Sequence, residues 1–94
     1  MRDPKQVAIV VREWVLKADN DLKAAVQILK LGADAPTDTV CFHAQQCIEK
    51  YLKAALVVCD VAFSKTHDLR ELVGLLPSAA RPRGRASLWT NSFD

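Results

Sequence analysis

Three polar side chains with different hydrogen-bonding chemistry follow one edge of the segment 41–56. His43, Gln46 and Lys50 are spaced by three and four residues, so in an α-helix they stack along one side. An imidazole, an amide and an ammonium group can together bind a phosphate or the polar edge of a base. We therefore predict an anion- or base-binding polar edge here, defined by these three residues. The simpler alternative is that His43 makes only a local hydrogen bond.

The same segment has an apolar stripe, which we predict to be the core face of the helix. Its members recur at helical spacing: Val40, Ala44, Cys47, Ile48, Tyr51, Ala55 and Val58. Glu49 and Lys53, four residues apart, are expected to form an ion pair on the helix surface. Lys50 lies elsewhere on the helix, and we expect it to be freer to bind an anion.

The polar edge must be positioned by neighbouring helices, and the first of these has clear limits. Asp3 can cap it, Pro4 suits the first helical position, and apolar residues recur at three- and four-residue intervals up to Leu29. Gly32 then predicts a stop. After a short loop, Thr37 or Asp38 is expected to cap a second helix that runs to about residue 59. A loop this short makes the two helices antiparallel neighbours.

A short third helix is predicted from His67 to about Leu76, with Thr66 as its cap and Pro77 as its stop. Beyond it, residues 78–94 have no apolar period and are rich in Arg and Pro, so we expect a flexible tail. The sequence therefore predicts an all-α antiparallel up-and-down bundle in residues 1–77, with two long helices and a short third.

Composition excludes several classes of protein. The chain has 94 residues, enough for one domain, and its net charge of +2 is too small for the whole-molecule field to attract nucleic acid. Three cysteines, an odd number without a Cys-x-x-Cys pair, argue against a secreted disulfide framework and favour the cytoplasm. No segment is apolar enough to predict a membrane span. His43 and Cys47 have the spacing of metal ligands but lack two more, so no metal or cofactor is predicted.

Several short motifs occur in a recognisable order. They are Trp14 with the segment 17–22 (KADNDL), the segment 42–46 (FHAQQ) with Glu49-Lys50 and Lys53-Ala54, and the segment 66–69 (THDL). Together they resemble the HEPN domain family, named as higher eukaryote and prokaryote nucleotide-binding. The resemblance covers roughly residues 11–76.

The resemblance implies a helical bundle that usually forms homodimers. Such proteins are often encoded beside a minimal nucleotidyltransferase in a toxin–antitoxin-like pair. Family members generally continue with one or two further helices, so the resemblance implies that the chain is truncated, frame-shifted or divergent after residue 77. Apolar surface on the first two helices would then be left for a partner or for aggregation.

Many family members are also metal-independent ribonucleases that use an Arg-x4-6-His motif. Here the required positions before His43 and His67 contain no arginine. Such cleavage needs a base for the 2′-hydroxyl and a fixed cation for the phosphate, so the departure matters. A truncated chain could have retained no activity; beside that, two function classes remain. One is a non-catalytic module that binds nucleotide or RNA through the polar edge and His67; the other is a degenerate ribonuclease toxin built on His67 and Arg70, or on His43.

Overall fold

The computed structural model describes residues 3–77, so the predicted tail, 78–94, lies outside the described residues. Within the described part the protein is all-helical and has no strand, which confirms the predicted fold class. No helix in this part of the chain is long and apolar enough to cross a membrane.

Helix α1 spans Pro4–Leu29 and begins as the sequence predicts. The side chain of Asp3 accepts a hydrogen bond from the backbone N–H of Lys5 at 3.0 Å, and Pro4 occupies the first turn, where a missing N–H is harmless. After the helix, Gly32 adopts a positive φ of 66° and opens a single 3-10 turn, Gly32–Asp34. This turn reverses the chain direction.

Helix α2 spans Thr37–Val58 and packs antiparallel to α1. The prediction that Thr37 or Asp38 caps it is wrong, because the cap position is Pro36 and no side chain bonds there. The carbonyl of Pro36 instead accepts the backbone N–H groups of Thr39 and Val40, at 3.1 and 3.2 Å. The rigid φ of proline thus sets the entry into α2.

Helix α3 is shorter than predicted and spans Leu69–Leu75. Its cap is Asp68, whose carboxylate accepts the N–H groups of Arg70 at 3.0 Å and Glu71 at 3.4 Å. Thr66 is not the cap: its hydroxyl accepts the N–H of Asp68 and donates to the carboxylate of Glu71. The third helix therefore begins two residues later than predicted, which leaves His67 in the preceding loop.

The core lies where α2 meets α3 and the loop between them. Leu56 and Leu72 are fully buried, and Leu76 is nearly so. They are surrounded by half-buried apolar side chains: Leu52, Ala55, Val61, Phe63 and Leu75. Between α1 and α2 the buried residues are small, chiefly Ala18, Ala25 and Ala54, so these two helices can approach closely.

The predicted core face of α2 is largely wrong. Four of its members are exposed: Ala44, Ile48, Tyr51 and Val58. Helix α1 instead covers the side that carries Cys47, Ala54 and Val57. Helix α3 and its loop cover the side that carries Glu49 and Leu56, and Lys53 lies against Trp14 of α1. Two separate neighbours therefore bury two sides of α2, and no other element within residues 3–77 covers the most apolar third side.

Candidate functional site

The polar edge of α2 is bonded to a carboxylate of α1. Asp21 Oδ1 lies 2.9 Å from His43 Nδ1, and Lys50 donates from Nζ to Asp21 Oδ2. An ionised carboxylate can only accept, so Nδ1 of His43 carries the proton and Nε2 of the neutral ring is left as an acceptor. The expectation that Lys50 is freer to bind an anion is wrong, because Asp21 already pairs with it.

The electrostatics of Asp21 follow from these contacts. Burial raises the pKa of its carboxyl, but the hydrogen bonds from Lys50 and His43 and their charges lower it by more. The net result is a pKa below the ordinary value, so Asp21 is ionised at neutral pH. The side of the polar edge that faces α1 is therefore an ion pair rather than an uncompensated positive patch.

Gln46 and Phe42 complete the surface around His43. Gln46 is half-buried, and its amide has no hydrogen-bond partner within residues 3–77. Phe42 is 57% exposed, and its ring meets the imidazole of His43 edge to face, with centroids 5.4 Å apart. Phe42 is thus neither a core residue nor covered by another described element.

A second charged group lies on the α3 side of α2. Glu49, which is 1% exposed, accepts from His67 Nδ1 at 2.8 Å and lies 3.7 Å from Lys53 Nζ. Lys53 is also buried, and its ammonium lies 5.3 Å from the centre of the Trp14 ring. The predicted surface ion pair of Glu49 and Lys53 is therefore an interior one, satisfied by His67 and by the indole face.

His67 itself is an exposed group held by this interior carboxylate. Its side chain is 76% exposed, although its Nδ1 is bonded to Glu49. Arg70 lies in the first turn of α3, whereas His67 precedes that helix, so the two do not lie on one side of a single helix. The structure brings His67 to Glu49 and His43 to Asp21, and each histidine presents Nε2 away from its carboxylate.

The open third side of α2 continues across α1. Tyr51 donates its hydroxyl proton to Asp19, which raises the pKa of Tyr51, chiefly through this hydrogen bond. Asp19 shares a helical face with three exposed apolar residues of α1: Leu22, Val26 and Leu29. Tyr51 shares a face of α2 with the exposed apolar residues Ile48 and Val58. We refer to the apolar side chains of these two faces, beside the Tyr51–Asp19 bond, as the open apolar face: Leu22, Val26, Leu29, Ile48 and Val58.

The three cysteines differ in their exposure. All three are free: Cys41 is exposed, Cys47 buried and Cys59 half-buried. Burial raises the pKa of Cys47, and the nearby charges of Asp21 and Asp19 raise it further, so its thiol stays protonated. Within residues 3–77 no three His, Cys, Asp or Glu side chains cluster as metal ligands would.

Sequence reasoning did not identify Asp21 as the partner of His43 and Lys50. A signal was present, because Trp14, Ala18, Asp21 and Ala25 recur at intervals of four, three and four residues on the inner side of α1. A carboxylate within such an apolar series requires a partner on the facing helix. His43 and Lys50 are that partner.

The family comparison agrees with this architecture. Residues 11–87, well over half of the chain, match the family described as HEPN domain. Neither a curated protein nor a solved structure showed significant similarity to the chain. The chain therefore belongs to the HEPN domain family, as the sequence motifs predict.

Proposed function

We propose that this HEPN domain is a non-catalytic interaction module that forms a homodimer and binds nucleotide or RNA through His43, Gln46, Lys50 and His67. In this proposal it pairs with a minimal nucleotidyltransferase in a toxin–antitoxin-like system. A cytoplasmic location, which the free cysteines favour, is part of the same proposal.

The open apolar face is the observation that carries the proposal. Ile48 is 47% exposed and Leu22 also 47%, and these side chains belong to rows on adjacent helices. The largest exposed patches on monomeric proteins are often functional, and a small domain gains stability by covering such a surface. A second copy that contributes the same face gives a closed two-fold dimer, the commonest form of homo-oligomer.

The polar edge supports the binding part of the proposal. His43 and Gln46 offer an acceptor and an amide that residues 3–77 leave available, and His67 offers an exposed imidazole beside them on the α3 side. His43 and Gln46 lie away from the open apolar face because α2 presents them on another side, and His67 lies in the loop before α3, bonded to Glu49. Dimerisation and ligand binding can therefore occur together.

Light scattering tests the dimer. Ile48→Glu places a charge in the open apolar face, and we expect it to yield a folded monomer at concentrations where the parent is dimeric. Leu16→Glu is the matched control: Leu16 is 52% exposed, but it lies two residues from buried Ala18 and so on the outer side of α1. A parent that is monomeric at high micromolar concentration would contradict the proposal.

The nucleotidyltransferase partnership has a separate test. The two proteins would be co-expressed from neighbouring genes, with a tag on only one, and purified together. We expect the untagged protein to be retained with the tagged one. A charged substitution in the surface between the two proteins should abolish this retention. Absence of any complex, with both proteins folded, would remove this part of the proposal while leaving the dimer intact.

One observation favours the ribonuclease alternative. Buried Glu49 fixes Nδ1 of exposed His67 as the protonated nitrogen, so Nε2 is an acceptor in the neutral ring. A carboxylate-oriented imidazole of this kind can take the proton of a 2′-hydroxyl group. The cation required to stabilise the phosphate would have to come from Arg70.

An assay in the presence of a chelator separates the two functions. The non-catalytic proposal expects no RNA cleavage by the parent. Cleavage that disappears in His67→Ala and Arg70→Ala, but persists in the exposed-site control Lys65→Ala, would instead establish the ribonuclease function.

A further inference from the structure

We infer that Phe42, His43 and Gln46 form a binding site for a nucleobase with an exocyclic amine, such as adenine, which rests on the proposed nucleotide and RNA binding. Phe42 supplies a stacking surface. His43 and Gln46 supply the hydrogen bonds that recognise the edge of the base.

The three side chains are neighbours on the helix surface. Gln46 is four residues after Phe42 and three after His43, so both are adjacent to it on α2. The ring contact between Phe42 and His43, at 5.4 Å, brings the first two together directly. A planar ligand resting on Phe42 would therefore have its edge beside the imidazole and the amide.

Phe42 has the properties of a stacking platform. It is 57% exposed, it is absent from the core cluster, and its only described ring contact is with His43. An exposed phenylalanine offers a flat apolar face, and stacking of a base on such a ring is favourable for any base. The position is also separate from the open apolar face, because residue 42 lies about 180° around α2 from residue 51 and about 120° from residue 48.

The hydrogen bonds provide the choice of base. Asp21 holds the proton of His43 on Nδ1, so Nε2 of the neutral ring accepts. The amide of Gln46 has both an acceptor and a donor, and neither is used within residues 3–77. An exocyclic amine donates two hydrogen bonds, and a glutamine amide matches the N6 and N7 groups of adenine. Uracil has no amine, and its edge offers a single donor, N3–H, so one of the two acceptors would be left unmatched.

The charge arrangement favours the base over the phosphate as the recognised group. Lys50, the cation of the polar edge, is already paired with Asp21, and that carboxylate would repel a phosphate placed against it. The atoms that would bind the base, Nε2 of His43 and the amide of Gln46, are not paired with Asp21 in this way. Recognition therefore depends on stacking and hydrogen bonds, with Lys50 as an electrostatic contributor at the margin.

Fluorescence anisotropy with labelled oligoadenylate and oligouridylate tests the site, and unlabelled AMP as competitor distinguishes a free nucleotide from an RNA strand as the source of the base. We expect the parent to prefer oligoadenylate. Phe42→Ala should weaken oligoadenylate binding about tenfold, whereas Phe42→Trp should retain it. Gln46→Ala should abolish the preference for adenine over uracil. Leu16→Ala, which removes a similarly exposed apolar side chain elsewhere, should change nothing.

The outcomes separate this inference from the proposal on which it rests. Parent binding that Phe42→Ala leaves unchanged overturns the base site but not RNA binding. Equal affinity for both oligonucleotides overturns the amine recognition. Absence of all binding by a folded, dimeric parent overturns the base site together with the nucleic-acid part of the proposed function, while the interaction module remains. Circular dichroism of each variant confirms that the helices are intact.

Discussion

His67 Nδ1 lies 2.8 Å from Glu49 Oε1, although the histidine is 76% exposed and the glutamate side chain only 2% exposed. The bond joins the loop before α3 to the middle of α2. Because Glu49 also pairs with Lys53, which lies against Trp14 of α1, a series of contacts through this carboxylate joins α1, α2 and the loop before α3. The same group both supports the fold and orients a surface imidazole.

Removal of Glu49 should therefore be strongly destabilising. Glu49→Ala leaves Lys53 buried without its carboxylate, and breaking a buried ion pair in this way typically costs about 3 kcal/mol or more. Urea unfolding, followed by circular dichroism, measures the change. A loss below about 1 kcal/mol would show that water or another group replaces the carboxylate.

Two further variants allow the loss of stability in Glu49→Ala to be interpreted. Glu13→Ala removes an exposed carboxylate of α1 and should stay within about 0.5 kcal/mol of the parent. The double variant Glu49→Leu with Lys53→Met replaces the pair by apolar groups and should recover most of the stability. Failure of the double variant to recover would mean that packing, rather than charge, dominates this position.

The sequence predicted the helices better than their faces. Asp3 and Pro4 define the start of α1 through local chemistry, and the structure confirms it. The buried side of α2, in contrast, was assigned to apolar residues such as Ile48, whereas Glu49 and Lys53 are buried. A charged residue becomes an interior one only when its partners are close, and His67 and Trp14 are distant in sequence.

The partner of the polar edge could not be predicted from the sequence for the same reason, because it is distant in sequence. Its residues were found from helical spacing alone, but Asp21 lies 22 residues before His43 and 29 before Lys50. No local pattern on α2 reveals that contact, since it arises only when α1 packs against it. The start of α3 was missed for a more local reason: Thr66 and Asp68 are both good caps, and the carboxylate nearer to the apolar series takes the role.

Acidification should weaken the contact between α1 and α2 through Asp21. Its pKa is lower in the folded state than in the unfolded chain, so its stabilising contribution is complete above the ordinary pKa of aspartate. The contribution is lost as the pH falls through the lowered pKa. We therefore expect the stability difference between the parent and Asp21→Asn to shrink as the pH falls from about 5 towards 3.

Unfolding midpoints at a series of pH values measure that difference. Asp34→Asn, at an exposed site in the 3-10 turn, is the control and should show no comparable trend. If the parent and Asp21→Asn differ in stability by the same amount at pH 3 and at pH 7, ionisation of Asp21 is excluded as the source of the stabilisation.

Lys50 and Asp21 together predict how RNA binding responds to salt. Lys50→Ala removes one possible phosphate contact, so binding should weaken and the slope of log affinity against log salt should fall by about 0.7 to 1 unit. Asp21→Asn keeps the ammonium but removes its internal partner, so it should strengthen binding and steepen the slope. Lys23→Ala, an exposed lysine on the outer side of α1, should alter neither. If Lys50→Ala and Asp21→Asn both leave the slope unchanged in folded protein, the ion pair of Lys50 and Asp21 is purely structural and the phosphate lies elsewhere.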